Sequence, residues 1–466
     1  MIFLKNSMQT EYIINRSENS RLVIFFTGWS TNKNLAGLFK LPDGYDLIIC
    51  WDYQKPIWRK LEKIYEEVLV FAWSFGVPIV EELYDSLAEE LNLTGIYAIN
   101  GSRLPVDDEM GIPNSIFKET LKNLNEKNLQ KFKIRIAGGV KNYKSMESFL
   151  VTELSLQELK EELMVFSDFK KKENNRILWD CAFISDNDKI FPSLNLQKSW
   201  RDTPIHRLKE EHLPDFVNIF NSTIKDKAKI RKNFSRSFHS YDNSAIVQKL
   251  ISQKLIEELK KFNDTYSDIL ELGSGSGYLS NLLIKTFNPK GLLLMDMSPT
   301  CPVKNACYIC GDIETFINSI APGSFDLVVS GSTMQWFHSP TRIFSTIFSI
   351  LKDEGIVGLT TFLPETYHEL AELTGDSLLY FTEKDWILLA QRVGFDILES
   401  SVEFHVLKFN SVKEVFEHIK ATGVNSSAVP KSIKELKSII SSYPMKEGKY
   451  QLTYQALTLI LKKKNH

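Results

Sequence analysis

Two short segments constrain this chain more than its composition does. One is A-W-S-F-G at 72–76, after the apolar run E-V-L-V-F at 67–71. The other is L-G-S-G-S-G at 272–277, after D-I-L-E at 268–271. Each reads as a strand that turns sharply into a helix, with small residues where backbones must pass closely. A chain with two such turns needs two α/β units, and 466 residues suffice for two cores.

The apolar runs support that division. Segments 22–26, 47–50, 67–71 and 96–99 read as buried parallel strands with helices between them. Residues 115–170 are polar, helical in pattern and densely charged, as expected for an inserted helical cap. Strand character returns at 177–184. The polar, basic segment 222–233 reads as a linker, which gives domains 1–221 and 222–466. A second series follows at 268–272, 291–295, 306–310, 325–329 and 355–361. No internal repeat and no low-complexity tract is present. A net charge of −2 gives no basic field for nucleic acid. Five cysteines in a long chain point to reduced thiols and a cytoplasmic setting. The first residues lack the apolar core of a signal peptide, and no run is long enough to span a bilayer.

The first turn matches the nucleophile elbow G-x-S-x-G, with Ala72 in place of the first glycine and Gly76 retained. Ser74 is therefore the candidate nucleophile. Its hydroxyl is a weak nucleophile unless a base held by an acid activates it. In hydrolases of this order the acid and then the histidine follow the serine. I-S-D-N-D-K-I-F-P at 184–192 offers Asp186 and Asp188, and Asp188 is preferred for its place before Pro192. His206, in T-P-I-H-R-L, reads as the base. His212 lies in K-E-E-H-L-P, which reads as a solvated helix, and is the weaker candidate. The Phe75 amide would supply one oxyanion donor. Trp29, after Gly28 in F-F-T-G-W-S, would supply another and wall the acyl pocket.

In the second turn Glu271 ends the strand, and Gly273, Gly275 and Gly277 form G-x-G-x-G. A dinucleotide site would place its third glycine where Tyr278 stands. The pattern suits S-adenosyl-L-methionine, which carries no phosphate. Asp296 ends the next strand, where an acid holds ribose hydroxyls. Asp312 and Ile313 end the third strand and suit an adenine amino group and ring. Phe234, Tyr241 and Gln248 recur near a seven-residue spacing and are expected on one helix face, either structural or in contact with a ligand. Cys307 and Cys310 form a C-x-x-C inside a strand, which reads as core packing; no metal site is expected.

F-F-T-G-W-S, A-W-S-F-G-V, N-G-S-R-L-P-V-D-D-E-M-G-I-P and S-D-N-D-K-I-F-P with the later W and T-P-I-H resemble the BioG type of pimeloyl-acyl-carrier-protein methyl ester esterase, over about residues 1–215, and the resemblance implies a triad of Ser74, Asp188 and His206. F-S-R-S-F-H-S-Y-D-N-S-A-I-V-Q-K-L, G-S-T-M-Q-W and H-I-K-A-T-G-V-N-S resemble the BioC type of malonyl-acyl-carrier-protein O-methyltransferase, over about residues 225–463. The resemblance implies an α/β-hydrolase with a helical cap, joined to a Rossmann-like class I methyltransferase. It implies a biotin-synthesis enzyme that esterifies malonyl-ACP and later hydrolyses pimeloyl-ACP methyl ester. Acyl carrier protein is the implied partner, and the basic excess at 118–147 suits an acidic carrier. Two other readings fit the residues: a small-acid methyltransferase fused to a general carboxylesterase, and a hydrolase regulated by a donor-sensing domain.

Overall fold

The computed structural model describes residues 7–167, 169, 177–297, 303–374, 378–423 and 433–464. Its contacts divide the chain into two compact units, Met1–Phe220 and Asn221–His466.

The first unit is built on a seven-stranded sheet. In chain order its strands are β1 (Gln9–Ile14), β2 (Arg21–Phe26), β3 (Tyr45–Trp51), β4 (Glu67–Trp73), β5 (Leu93–Ile99), β6 (Cys181–Ser185) and β7 (Ile205–Leu208). The spatial order is β1-β3-β2-β4-β5-β6-β7. All neighbours are parallel except the edge pair β1–β3. Every residue of β3 and β4 is buried, as the apolar runs 47–50 and 68–73 within them require. Helix α1 (Gly76–Glu90) leaves the end of β4. Four helices fall between β5 and β6: α2 (Asn114–Lys122), α3 (Glu126–Ile136), α4 (Val140–Met146) and α5 (Leu156–Ser167). They occupy the segment expected to form a cap. Helix α6 (Ser193–Ser199) follows β6, and α7 (Phe216–Thr223) follows β7.

The second unit opens with α8 (Lys227–Ser244) and α9 (Ile246–Lys260). The expected linker 222–233 is therefore largely ordered secondary structure: its second half is the first two turns of α8, and Lys225 and Lys227 are buried. Strands β8 (Asp268–Leu272), β9 (Gly291–Asp296), β10 (Cys307–Cys310), β11 (Phe325–Gly331), β12 (Leu351–Phe362), β13 (Phe395–Phe409), β14 (Met445–Lys446) and β15 (Lys449–Lys463) form one sheet. Its order is β10-β9-β8-β11-β12-β15-β13, with β14 paired to β15. The first five strands are parallel, and β15 runs antiparallel to both β12 and β13. Helix α10 (Tyr278–Phe287) leaves the end of β8, and the short α11 (Ile313–Phe316) follows β10. Cys307 and Cys310 are exposed on the edge strand rather than packed in a core, because β10 is the last strand of its sheet. Among the described residues no helix is long and apolar enough to cross a membrane. None of them forms a cluster of three or more metal-ligating His, Cys, Asp or Glu residues.

Candidate active sites

Ser74 stands in the turn between β4 and α1 with a φ of +57°. A side chain there is strained, and surrounding contacts hold it. The Ser74 N–H donates to the Ile99 carbonyl at 2.9 Å. A Cβ on Gly76 would lie 2.4 Å from the Phe26 carbonyl oxygen, so that position admits only glycine. Ala72, fully buried in β4, occupies the first small position without disturbing the turn.

The serine's partner is His212. Its Nε2 lies 3.0 Å from Ser74 Oγ, and its Nδ1 lies 2.8 Å from Asp188 Oδ2. The other carboxylate oxygen, Asp188 Oδ1, accepts the N–H groups of Ile190 and Phe191 at 2.7 and 3.0 Å. The acid is thereby oriented by its own loop, and the imidazole by the acid. The side chains of His212 and Asp188 are 1% and 0% exposed, which removes water that would weaken both bonds.

His206 is not in this constellation. It lies within β7, paired with Phe183 of β6, and its ring stacks edgewise on Phe183 at 5.4 Å. Burial lowers its pKa. The segment around His212, expected to be a solvated helix, is instead a turn that returns over the end of β4. Trp73 Nε1 and Asn100 Nδ2 both donate to the His212 carbonyl at 2.9 Å, and the Leu213 N–H donates to Ile136 of α3 at 3.1 Å. Asn100 was not singled out by sequence, although it begins N-G-S-R-L-P. It also donates to Ser185 Oγ at 2.8 Å and accepts the Ser185 N–H at 2.7 Å, so it braces both the acid and the base loops. Asp186, the other acid considered, forms an exposed pair with Arg207.

A cavity adjoins this site. Trp29 and Phe75 line it from the sheet side, and Phe117, Phe132 and Leu163 line it from the cap helices. Trp29 is 2% exposed, its Nε1 donates to the Leu159 carbonyl of α5 at 3.0 Å, and its ring meets Phe132 at 4.9 Å. The indole thus fastens cap to core, and only its backbone amide remains for oxyanion duty. Phe75 forms the N-cap of α1, one residue after the serine.

The second unit holds a cleft at the carboxyl ends of β8 to β11. Gly273 has a φ of +80°, and a Cβ there would fall 2.0 Å from Thr333 Oγ1 in the loop after β11. The glycine is required by that close approach. The Gly275 N–H donates to Asp296 Oδ2 at 2.9 Å, so Asp296 orders the glycine loop as well as lining the cleft. Glu271 is 1% exposed and accepts Ser280 Oγ–H at 2.6 Å. Burial, with the Asp296 charge behind it, pushes its carboxyl up to about 8. It braces the β8–α10 turn and does not line the cleft. Gly277 is the left-handed N-cap of α10. Asp312 and Ile313 line the cleft, and Asp312 also N-caps α11 through the Glu314 N–H at 3.1 Å.

Phe234 and Tyr241 of α8 line the cleft, and Phe234 packs edge-on against Trp336 at 5.7 Å. Gln248 does not share their helix. The chain breaks at Ala245, and Gln248 is a buried residue of α9. Of H-I-K-A-T-G-V-N-S, the last three residues lie outside the described residues. The glycine cradle, the two cleft carboxylates and the apolar walls fit a nucleoside donor.

Comparison with known proteins agrees with this division. The family model for pimeloyl-ACP methyl esterase BioG matches residues 8–220, and one for a methyltransferase domain matches residues 244–400. A malonyl-[acyl-carrier protein] O-methyltransferase of Bacteroides fragilis (strain 638R) is 29% identical over 95% of this chain and 93% of its own length. Another of that name, from Bacteroides thetaiotaomicron, is 32% identical over 51% of this chain and 99% of its own length. The chain belongs to the malonyl-[acyl-carrier protein] O-methyltransferase family. Its N-terminal part is a BioG domain and its C-terminal part a methyltransferase domain. A crystal structure of BioG from Haemophilus influenzae is 30% identical, covering 45% of this chain and 95% of its own, with a TM-score of 0.40. The serine constellation therefore lies in the BioG domain and the glycine cleft in the methyltransferase domain.

Proposed function

We propose that this chain is a bifunctional enzyme of biotin synthesis. Its methyltransferase domain esterifies the free carboxyl of malonyl-ACP with S-adenosyl-L-methionine as donor. Its BioG domain, read as a capped α/β-hydrolase acting as a serine esterase, hydrolyses pimeloyl-ACP methyl ester to pimeloyl-ACP and methanol. The observation that carries the esterase reading is the Ser74–His212–Asp188 chain at 3.0 and 2.8 Å, facing a largely apolar cavity.

In hydrolysis, Ser74 Oγ attacks the ester carbonyl while His212 Nε2 takes its proton. Asp188 holds Nδ1–H and stabilises the imidazolium. The amides of Phe75 and Trp29 face the developing oxyanion. His212 returns the proton to the leaving methanol. It then takes a proton from water, which attacks the acyl-serine, and passes that proton to Ser74 Oγ as the pimeloyl thioester leaves.

In methylation the donor supplies an electrophilic methyl on a sulfonium. The acceptor carboxylate is already nucleophilic, so the protein need provide no base. Its contribution is alignment and exclusion of water. Asp296 accepts from the ribose and Asp312 from the adenine amino group. Phe234, Trp336 and Phe337 supply the apolar wall. Masking the malonyl charge removes a carboxylate that is costly in the apolar sites of chain elongation.

Mass spectrometry of malonyl-ACP and of methyl-pimeloyl-ACP, incubated with the purified chain, tests both halves. The expected result is a methyl gained by malonyl-ACP only when donor is present, and a methyl lost by the pimeloyl ester without it. Methylation of free small acids with no reaction on carrier-bound malonyl would overturn the substrate assignment.

A further inference from the structure

Lys227, from the stretch expected to be a linker, begins α8 with its ammonium in the protein interior. It is 9% exposed and lines the donor cleft together with Ile230, Phe234 and Tyr241 of the same helix. Its Nζ pairs with Glu314 and lies 3.3 Å from Asp312 Oδ1. Its charge sits 5.6 Å from the centre of the Phe337 ring. Glu314 in turn accepts the N–H groups of His338 and Ser339, at 3.0 and 3.2 Å. His338 Nε2 accepts the Lys225 N–H at 2.9 Å. One lysine thus joins the helix over the cleft, the turn after β10 and the loop after Trp336.

A buried ion pair is a poor source of stability, because desolvation offsets most of the attraction. It is better suited to fixing one geometry. Asp312 and Glu314 are two carboxylates on one turn, and without a cation their mutual repulsion would favour protonation of one. Burial alone would raise Glu314, but the charge of Lys227 and the contacts of His338 outweigh it and hold this carboxyl well below the usual range. The Lys227 and Glu314 N–H contacts to Asp312 both fall on Oδ1. Asp312 is therefore held in place by groups of the protein itself.

We propose that Lys227 is a positioning residue for the methyl donor: it latches α8 onto Asp312 and Glu314, so the helix over the cleft and the adenine-binding acid are ordered together. The inference rests on the donor assignment made above. It goes beyond that assignment in naming a residue that acts through Asp312.

The test compares the full-length parent with Lys227→Met, Lys227→Arg and the double variant Lys227→Met/Glu314→Gln. Hydrogen exchange of α8 without ligand, the thermal midpoint, calorimetric binding of S-adenosylhomocysteine and ester hydrolysis are measured on each. Lys227→Met is expected to exchange faster across α8 and to bind about tenfold more weakly or worse, with hydrolysis unchanged. The double variant removes the uncompensated buried carboxylate and so recovers the parent's thermal midpoint, but not its affinity. Lys227→Arg recovers part of the affinity. Parental affinity in either Met variant would overturn the proposal, as would unchanged exchange in α8. Failure of the parent itself to bind S-adenosylhomocysteine would instead overturn the donor assignment.

Discussion

Ser74 shows how much of a site one residue's backbone decides. Its φ of +57° costs about 1–2 kcal/mol for a residue with a Cβ, and the fold sustains that strain at the tip of β4. Replacing Ser74 with Ala should abolish ester hydrolysis and leave methyl transfer at the parental rate, because the two constellations lie in separate compact units. Equal loss of both activities would refute that separation. His212→Ala should lower the hydrolysis rate by about a thousandfold or more, as removal of a triad base does elsewhere. His206→Ala should stay within a few-fold of parent, since this ring only packs on Phe183. Steady-state kinetics on a small methyl ester decides the ranking, and a milder effect at His212 would reassign the base. In the methyltransferase domain, Asp296→Ala should weaken donor binding by about 1–3 kcal/mol, because it removes the carboxylate proposed to accept from the ribose and its hold on the Gly275 N–H. Calorimetry showing parental affinity would remove Asp296 from the site.

Helix α5 carries a carboxylate where an apolar side chain would be expected. Glu162 is 2% exposed and accepts the Tyr53 N–H at 3.0 Å. Burial, opposed in part by that bond, pushes its pKa from 4.5 up to about 8. The native state then holds a proton that the unfolded state has released. Between pH 4.5 and about 8, this group's contribution to stability falls as pH rises, at about 1.4 kcal/mol for each pH unit. Glu162→Gln keeps the acceptor and removes the titration. Urea unfolding should show the variant nearly equal to parent at pH 5 and more stable at pH 8.5, and a constant difference across that range would rule the mechanism out. Helices α2 and α3 carry Lys122, Lys127 and Lys131, all exposed. Converting the three to Glu should slow hydrolysis of the carrier-bound ester but not of a small free ester, and the deficit should shrink with salt. Unchanged kinetics on the carrier-bound ester at low salt would place carrier docking elsewhere. The parallel strands around both sites were legible as short apolar runs. Strand β13 was not, because its residues are mostly half-buried, alternate with exposed ones in its second half and leave no continuous apolar stretch.

The proposed pairing of an esterase with a methyltransferase in one molecule creates a demand on selectivity. If the BioG domain cleaved methylated malonyl thioester, the two activities would cancel. Four additional methylenes in pimeloyl offer roughly 3 kcal/mol of extra apolar burial, or about 200-fold in kcat/KM. Competition between the two methyl esters should show a preference of that order, and equal rates would mean that the cavity beneath the cap does not read chain length. Ser74, Gly76 and Asp188, together with the glycines and acids of the donor cleft, were readable from the sequence because each depends on a local turn: a strand end, a close backbone approach or a short loop. His212 was readable only as the weaker of two candidates. Its place beside Ser74 comes from the return of the loop after β7, held by Trp73, Asn100 and Ile136, none of them near it in sequence. His206 has the better local context but is held by the pairing of β7 with β6. Lys227 likewise reads as a solvated linker charge, and only the approach of α8 to Asp312 and Glu314 buries it. Local turns follow from neighbouring residues, whereas which charge meets which depends on segments that only the packed chain brings together.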